Sequence, residues 1–259
     1  MLTLAAYYES VDQAGAYANM AAPADQHLTV NTPRIQVPSL NQLLMVMAGL
    51  ENAVAPRGRI TTPSLRQRTL LQVAPISVAA AGPVVPTSPH AAMDMASTPV
   101  KLVTGEQMTF EALANPVAAQ IQWCGVLLGD GPAKQATGDI FTTRATGTTT
   151  CVAGAWTLCP LTFDENLPRG KYQVVGAKFM GATCKMGRLV FPGYPWRPGF
   201  MGCATVDIVE HWRSRGGNLG VWGEWEDVDN LQAEFLCGAG DTTQIVYLDL
   251  IQVRAGGGS

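Results

Sequence analysis

Between Asn166 and Trp225 apolar and polar positions alternate in short runs with almost no loop between them. In KYQVVGAKFMG, Tyr172, Val174, Gly176 and Lys178 fall on one face and Gln173, Val175, Ala177 and Phe179 on the other, the two-residue period of a strand. LPRG ahead of it is a turn signal, because Pro168 presets φ and Gly170 accepts a positive one. MGRLVFPG, FMGCATVDI and LGVWGEWEDV supply further strands, and GYPWRPG is a Pro/Gly corner that no helix crosses. With TTTCVAG, WTLCPLTF, LQAEFLCG and TQIVYLDLIQV, eight strand-like pieces follow the GDGPAKQATGD stretch at 129–139. Eight is the strand number of a jelly roll.

The pattern ahead of that stretch is less regular. In residues 1–25, Leu4, Tyr8 and Val11 share a face of a short, weak amphipathic helix, read as an arm that orders against a neighbouring subunit. HLTVNTPRIQV alternates like a strand and ends at Pro38. Ser39 with Gln42 three positions on has the form of a capping box, and Leu40, Leu43, Leu44, Met47 and Leu50 make one stripe, which predicts a helix over 39–55 closed by Pro56 and Gly58. Residues 58–80 resume β texture with Leu71 and Val73 inward, and Pro63 and Pro75 restrict them to broken or edge strands. AGPVVPTSPHAAMDMASTP, within 81–99, reads as a long partner-contacting loop, followed by strand regions in VKLVTGEQMTFEALANP and AAQIQWCGVLLGDGP. The expected layout is an arm at 1–26, a first jelly-roll half at 27–138 containing the helix, a second jelly roll at 139–255 and a flexible tail at 256–259. No sequence repeat links the halves. The arm and the Pro-rich loop are expected to direct assembly and to add little to the subunit's own fold, being too weakly patterned to offset their ordering cost alone.

Charged residues make up 14% of the chain, against about 25% in ordinary soluble proteins. A surface that needs so few solvating charges is one covered by neighbours, which favours a subunit of an assembly. The first 57 residues carry only Arg34 and Arg57 as cations, against Glu9, Asp12, Asp25 and Glu51. Without a basic arm, direct contact with nucleic acid is not expected. No charged-then-apolar leader and no apolar run near ~18 residues is read, so the chain is expected to be made in the cytoplasm. The six cysteines form no CxxC pair and lie mostly in apolar segments, the pattern of buried reduced thiols, although Cys151 and Cys159 could pair across a hairpin. His27, His90 and His211 lack partners at zinc-like spacing, so neither a metal nor a cofactor is expected.

Glu224 and Glu226 share a strand face at about 6.5–7 Å, a separation open to glycosidase chemistry. No further acid sits in a matching neighbour strand, and a solvated edge or subunit contact is the favoured reading. Trp196, Trp222 and Trp225 could stack on sugar rings, anchor a core or serve as interface contacts, whereas Trp123 and Trp156 read as core. Trp196, between Pro195 and Arg197, reads as a fixed corner against a partner. The interface candidates are therefore Tyr8, Trp196, Arg197, Trp222 and Trp225. No phosphate loop, Ser/His/Asp set or Cys/His pair is found, so no catalytic residue is assigned.

The eight-strand run from Thr148 to Val253, the TPSLRQRTLLQVAPI stretch and the LPRGKYQVVG, GRLVFPG and WRPG segments resemble the major capsid proteins of tailless icosahedral bacteriophages, of the double jelly-roll lineage. The resemblance is one of texture over most of the chain and rests on no diagnostic motif. It implies a non-enzymatic coat subunit of a virion, made in the host cytoplasm, that forms trimers and then an icosahedral shell. Its implied partners are further copies, other capsid proteins and, as in some of those phages, an internal membrane. A carbohydrate-binding sandwich and a fibre or adhesin protein are the alternatives.

Overall fold

The structure, a computed structural model, describes residues 1–9, 17–50, 57–68, 71–73, 76–77, 92–113, 121–203 and 215–255. It is an all-β architecture. The first half holds β1 (Leu2–Glu9), β2 (Ala18–Asn19), β3 (Val30–Asn31), β4 (Arg34–Gln36), β5 (Gln42–Leu50), β6 (Arg57–Thr61), the helix α1 (Pro63–Arg68), β7 (Leu71–Val73), β8 (Ile76–Ser77), β9 (Ala92–Asp94), β10 (Val100–Lys101), β11 (Gln107–Leu113) and β12 (Gln122–Gly129). The second half holds β13 (Ile140–Gly147), β14 (Trp156–Pro160), β15 (Thr162–Phe163), β16 (Gly170–Met180), β17 (Cys184–Val190), β18 (Gly199–Cys203), β19 (Gly223–Glu226), β20 (Gln232–Cys237) and β21 (Gln244–Ala255).

Both halves run their strands in one order. In the second half β13, β21, β16 and β19 pair in that sequence, as do β14, β20, β17 and β18. A parallel pair between Phe179–Met180 and Gly202–Cys203 joins these two rows. In the first half β1, β12 and β5 form one row, with β9 and β10 on the far side of β5, and β11 joins β2 and β4 to β6 and β7 in the other. Taking β2 to β4 as the second position and β9 with β10 as the sixth, each half has positions one, eight, three and six in one sheet and two, seven, four and five in the other. Among the described strands, none of 2–129 pairs with one of 140–255.

The sheet of β1, β12 and β5 is buried on both faces. Ala5, Tyr7, Val46, Ala48, Cys124 and Val126 point into the first half's own core, while Leu4, Ala6, Met47, Trp123 and Leu127 join a larger core shared with the second half. The layer that meets this second face is β14, β20, β17 and β18. The Lys185 ammonium lies 4.9 Å from the centre of the Trp123 ring, and Arg188 donates to the carbonyl of Leu4 at 3.3 Å.

This double burial corrects two expectations. Residues 42–50 form a strand in place of a helix over 39–55, because QLLMVMAGL covers both faces of a sheet, and a continuous apolar run satisfies a helical stripe and a two-sided strand equally well. The N-terminal segment is no helical arm: Leu2–Glu9 pairs along its whole length with Gln122–Gly129, and Leu2 to Tyr7 are buried. Its tyrosines and small residues pack in strand alternation, with Tyr7 donating to the carbonyl of Met108 at 2.8 Å.

A short helix does stand in the N-terminal half, at Pro63–Arg68. Thr62 caps it through its hydroxyl, which accepts from Leu65 N at 3.1 Å, and Pro63 occupies the first turn, where no backbone donor is needed. In β16 the strict alternation breaks. A bulge leaves Val175 unpaired between Val174 and Gly176, so Tyr172 and Val174 share the core with Ala177 and Phe179. The second half opens with Ile140–Gly147 and not with TTTCVAG, since Thr143, Ala145 and Gly147 are small inward residues that leave little apolar signal. Of the Pro-rich stretch 81–99, residues 92–94 pair with β5, whereas 81–91 lie outside the described residues, as do 10–16 of the arm and the tail 256–259.

Candidate functional site

Of the interface candidates, Tyr8, Trp196 and Arg197 lie where the two halves meet, while Trp222 and Trp225 lie within the second half's core. The GYPWRPG corner between β17 and β18 folds back onto β1: Leu4 N donates to the carbonyl of Arg197 at 2.8 Å, and Arg197 N approaches Thr3 Oγ1 at 3.4 Å. Trp196 packs against the first half's core, so the partner of this corner is the other half of the same chain. The Arg197 guanidinium is buried and donates to the carbonyl of Tyr194 at 2.6 Å, which stiffens the corner. Tyr8 is half-buried against the shared core.

A charge cluster pins this seam. Arg188, 1% exposed, meets Asp25 at 2.5 Å and Glu234 at 2.5 Å, and its guanidinium carbon lies 4.0 Å from the centre of the Trp156 ring. Asp25 comes from the first half, where its other oxygen accepts from His27 N at 2.8 Å. His27 Nε2 stands 3.8 Å from Glu234. Burial, followed by the positive charge of Arg197, holds the His27 imidazole below its ordinary pKa against the pull of Glu234. The sequence pattern gave no hint of this cluster, because a single charge within an apolar strand carries no mark of the partner it will meet.

Trp222 and Trp225 are 3% and 4% exposed, so they stand as core anchors and not as contact platforms. Trp225 lies 5.4 Å from Tyr172 and stacks on Phe163 at 6.3 Å, and Trp222 donates to the carbonyl of Gly216 at 3.3 Å. Between them Glu224 pairs with Lys171 and accepts from Gln173 Nε2 at 2.6 Å. The Lys171 ammonium, and then Gln173, hold the Glu224 carboxyl below its ordinary pKa. A glycosidase acid needs the opposite shift, so this carboxylate has no proton to give at neutral pH.

Beside this pair is a cavity of about 330 Å³. Its walls come from the exit of β12 (Asp130 to Lys134), from the corner (Phe191, Tyr194, Trp196) and from the segment leading into β19 (Leu219, Trp222, Glu224). That last segment can close against the first because Gly220, at φ 71°, has no side chain: a Cβ there would stand 1.8 Å from the carbonyl oxygen of Lys134.

All six cysteines are buried free thiols, and Cys151 and Cys159 do not pair. Among the described residues no group of three or more His, Cys, Asp or Glu could hold a metal, and no helix is long and apolar enough to cross a membrane. No family model and no curated protein matches the chain. Among solved structures, the chain is similar to the major capsid protein of bacteriophage PM2, with 10% identity over 100% of both chains and a TM-score of 0.26. A likeness that loose carries no weight for function.

Proposed function

We propose that the protein is a structural coat subunit, a double jelly roll that self-associates as trimers into an icosahedral shell and catalyses nothing. The observation that carries this reading is the repeated strand order: two antiparallel sandwiches, each with positions one, eight, three, six facing two, seven, four, five, fixed side by side through a sheet buried on both faces. Jelly rolls recur in viral shells and in lectins, and the step from architecture to role is an analogy of fold. The low charge of 14% supports the shell side of that analogy, because a coat subunit covers much of its surface with neighbours. The seam supports it too. A pair of sandwiches welded by Arg188 and by the Trp196 corner offers a broad rigid block, and three such blocks give a six-lobed, near-hexagonal unit. On this reading the virion is the protein's location, and its partners are further copies and other shell proteins.

Light scattering coupled to size-exclusion chromatography is the test. Trimers, or particles visible by electron microscopy, are the expected outcome. A monomer at every concentration would retire the proposal, and an open filament would favour a fibre protein instead.

A further inference from the structure

We infer that Cys151 and Cys237 form an oxidisable thiol pair in the second half, one that a peroxide closes to a disulfide and a thiol reductant opens again. The pair is independent of the coat reading, since assembly is read by scattering and the bridge by mass.

The backbone brings three thiols together. Cys184 and Cys237 are register partners on β17 and β20. Cys237 gives its carbonyl to Gly154 N at 2.9 Å on one side, while Gly238 N donates to the carbonyl of Thr183 at 2.9 Å on the other. Cys184 and Cys237 therefore face each other at a position without mutual hydrogen bonds, where Cα atoms stand about 4.5 Å apart. Cys151 reaches the same place from the connection 148–155 between β13 and β14: its N donates to the carbonyl of Asp241 at 2.8 Å, and Ala153 bridges to Cys237. Gln244 Nε2 donates to the Cys151 sulfur at 3.4 Å, and Cys184 donates to the carbonyl of Met186 at 3.6 Å. Between them the Cys151 thiol is hydrogen-bonded to Cys237, and Cys237 to Cys184. Sulfurs in such contact have to close by about 2 Å to reach the bond length of a disulfide.

Of the two neighbours of Cys237, the loop cysteine is the one free to make that approach. Cys184 is a strand residue with no exposure, and its sulfur is lodged over Gly202, where a Cβ would stand 2.3 Å from it. Cys151 belongs to no strand and is flanked by Thr150 and Val152, both exposed. A small opening of the loop both admits a small oxidant and supplies the movement. While the loop is closed, the bond to Cys237 and then burial push the Cys151 thiol up, which keeps it protonated and slow to react.

One peroxide balances the reaction. The Cys151 thiolate attacks a peroxide oxygen, the O–O bond breaks, and the departing hydroxide takes up the thiol's proton as water, leaving a sulfenic acid on Cys151. The Cys237 sulfur then attacks the sulfenic sulfur, the S–O bond breaks, and the second hydroxide leaves with the Cys237 proton as water. Two electrons pass from the two sulfurs to the peroxide. The bridge ties the 148–155 loop to the end of β20 and joins positions far apart in the sequence, the arrangement in which a cross-link restrains the unfolded chain most.

The full chain is purified under reductant, freed of it and exposed to hydrogen peroxide. After alkylation in denaturant, two of the six thiols should be missing, peptide mapping should join Cys151 to Cys237 within one chain, and dithiothreitol should restore both. The thermal midpoint should rise by about 5–10 °C on oxidation and return on reduction. Cys151→Ala should abolish the bridge and the rise, whereas Cys124→Ala, in the first half's core, should leave both in place. Should Cys151→Ala fail to fold, the peptide map of the unaltered chain decides alone. The inference is overturned if all six thiols survive peroxide, if the mapped bridge joins Cys184 to Cys237 or two separate chains, or if Cys151 passes to the sulfinic acid without a bridge.

Discussion

The first half fills its own sandwich with aliphatic and thioether side chains around Tyr7 and Phe110, whereas the second packs Phe179 against Phe235 and Tyr172 against Trp225, with Trp222 and Phe191 in the same core. The strand order is the same and the fillings are unrelated, so one topology accepts two unlike cores provided the inward volume is met. A second contrast lies at the seam. The first half's inner sheet presents Leu4, Met47 and Trp123, all neutral, and adds one carboxylate from a loop, Asp25, while the second half brings Lys185, Arg188 and Glu234. Most of the seam's charge thus comes from the second half, and the first half's inner sheet depends on its neighbour for one of its two apolar faces.

The largest test removes that dependence at its root. Deleting residues 1–9 takes away a strand paired over its full length with β12, and the expected result is loss of the cooperative thermal transition, not merely loss of assembly. A near-unchanged melting curve would return the segment to the status of an arm. Next, Arg188→Ala strands Asp25 and Glu234 at the seam, and breaking a buried ion pair from one side costs about 3–5 kcal/mol. Urea unfolding should show that loss, and little change would mean the halves are held by the apolar contacts alone. Paired substitutions sharpen the comparison: Phe110→Ala in one core and Phe179→Ala in the other should each cost about 3–5 kcal/mol and shift one common transition, because the larger core spans both halves. Two separated transitions would show that the sandwiches unfold independently.

A smaller effect concerns pH. His27 has a folded pKa below its unfolded value of about 6.5, so the unfolded chain binds more protons between the two. Stability should therefore be steady above about pH 6.5 and fall as pH drops through that value toward the folded pKa. His27→Gln should flatten this part of the profile, as read by unfolding midpoints between pH 7 and 5. The smallest effect is that of Glu224→Gln, which removes a partly exposed pair and should leave the midpoint almost where it was.

Part of the second half was legible because some of its strands keep a wetter face along part of their length: Trp156–Pro160, the start of Gly170–Met180 and Gln244–Ala255 fall on runs whose alternation names them. The first half was harder, for a physical reason. Once Leu43 to Ala48 face cores on both sides, the period that separates a strand from a helix disappears. The same cause operated in reverse at the seam. Arg188 and Lys185 went unremarked because a charge opposite another part of the chain and a charge opposite water leave the same mark on a sequence. Trp196 was read as a fixed corner against a partner; in the fold the surface it meets is the first half of the same chain, a distinction the letters do not carry. Val175 shows the limit at single-residue scale, since an unpaired residue inverts every inward assignment after it and has no compositional signature.

The weld between the halves has a mechanical consequence. With the Arg188 cluster and the Trp196 corner fixing them, the two sandwiches form one stiff tile without a hinge line down its middle. On the proposed coat reading, a closed shell built from such tiles would take up every change of curvature between flat facets and sharp vertices in the joints from tile to tile.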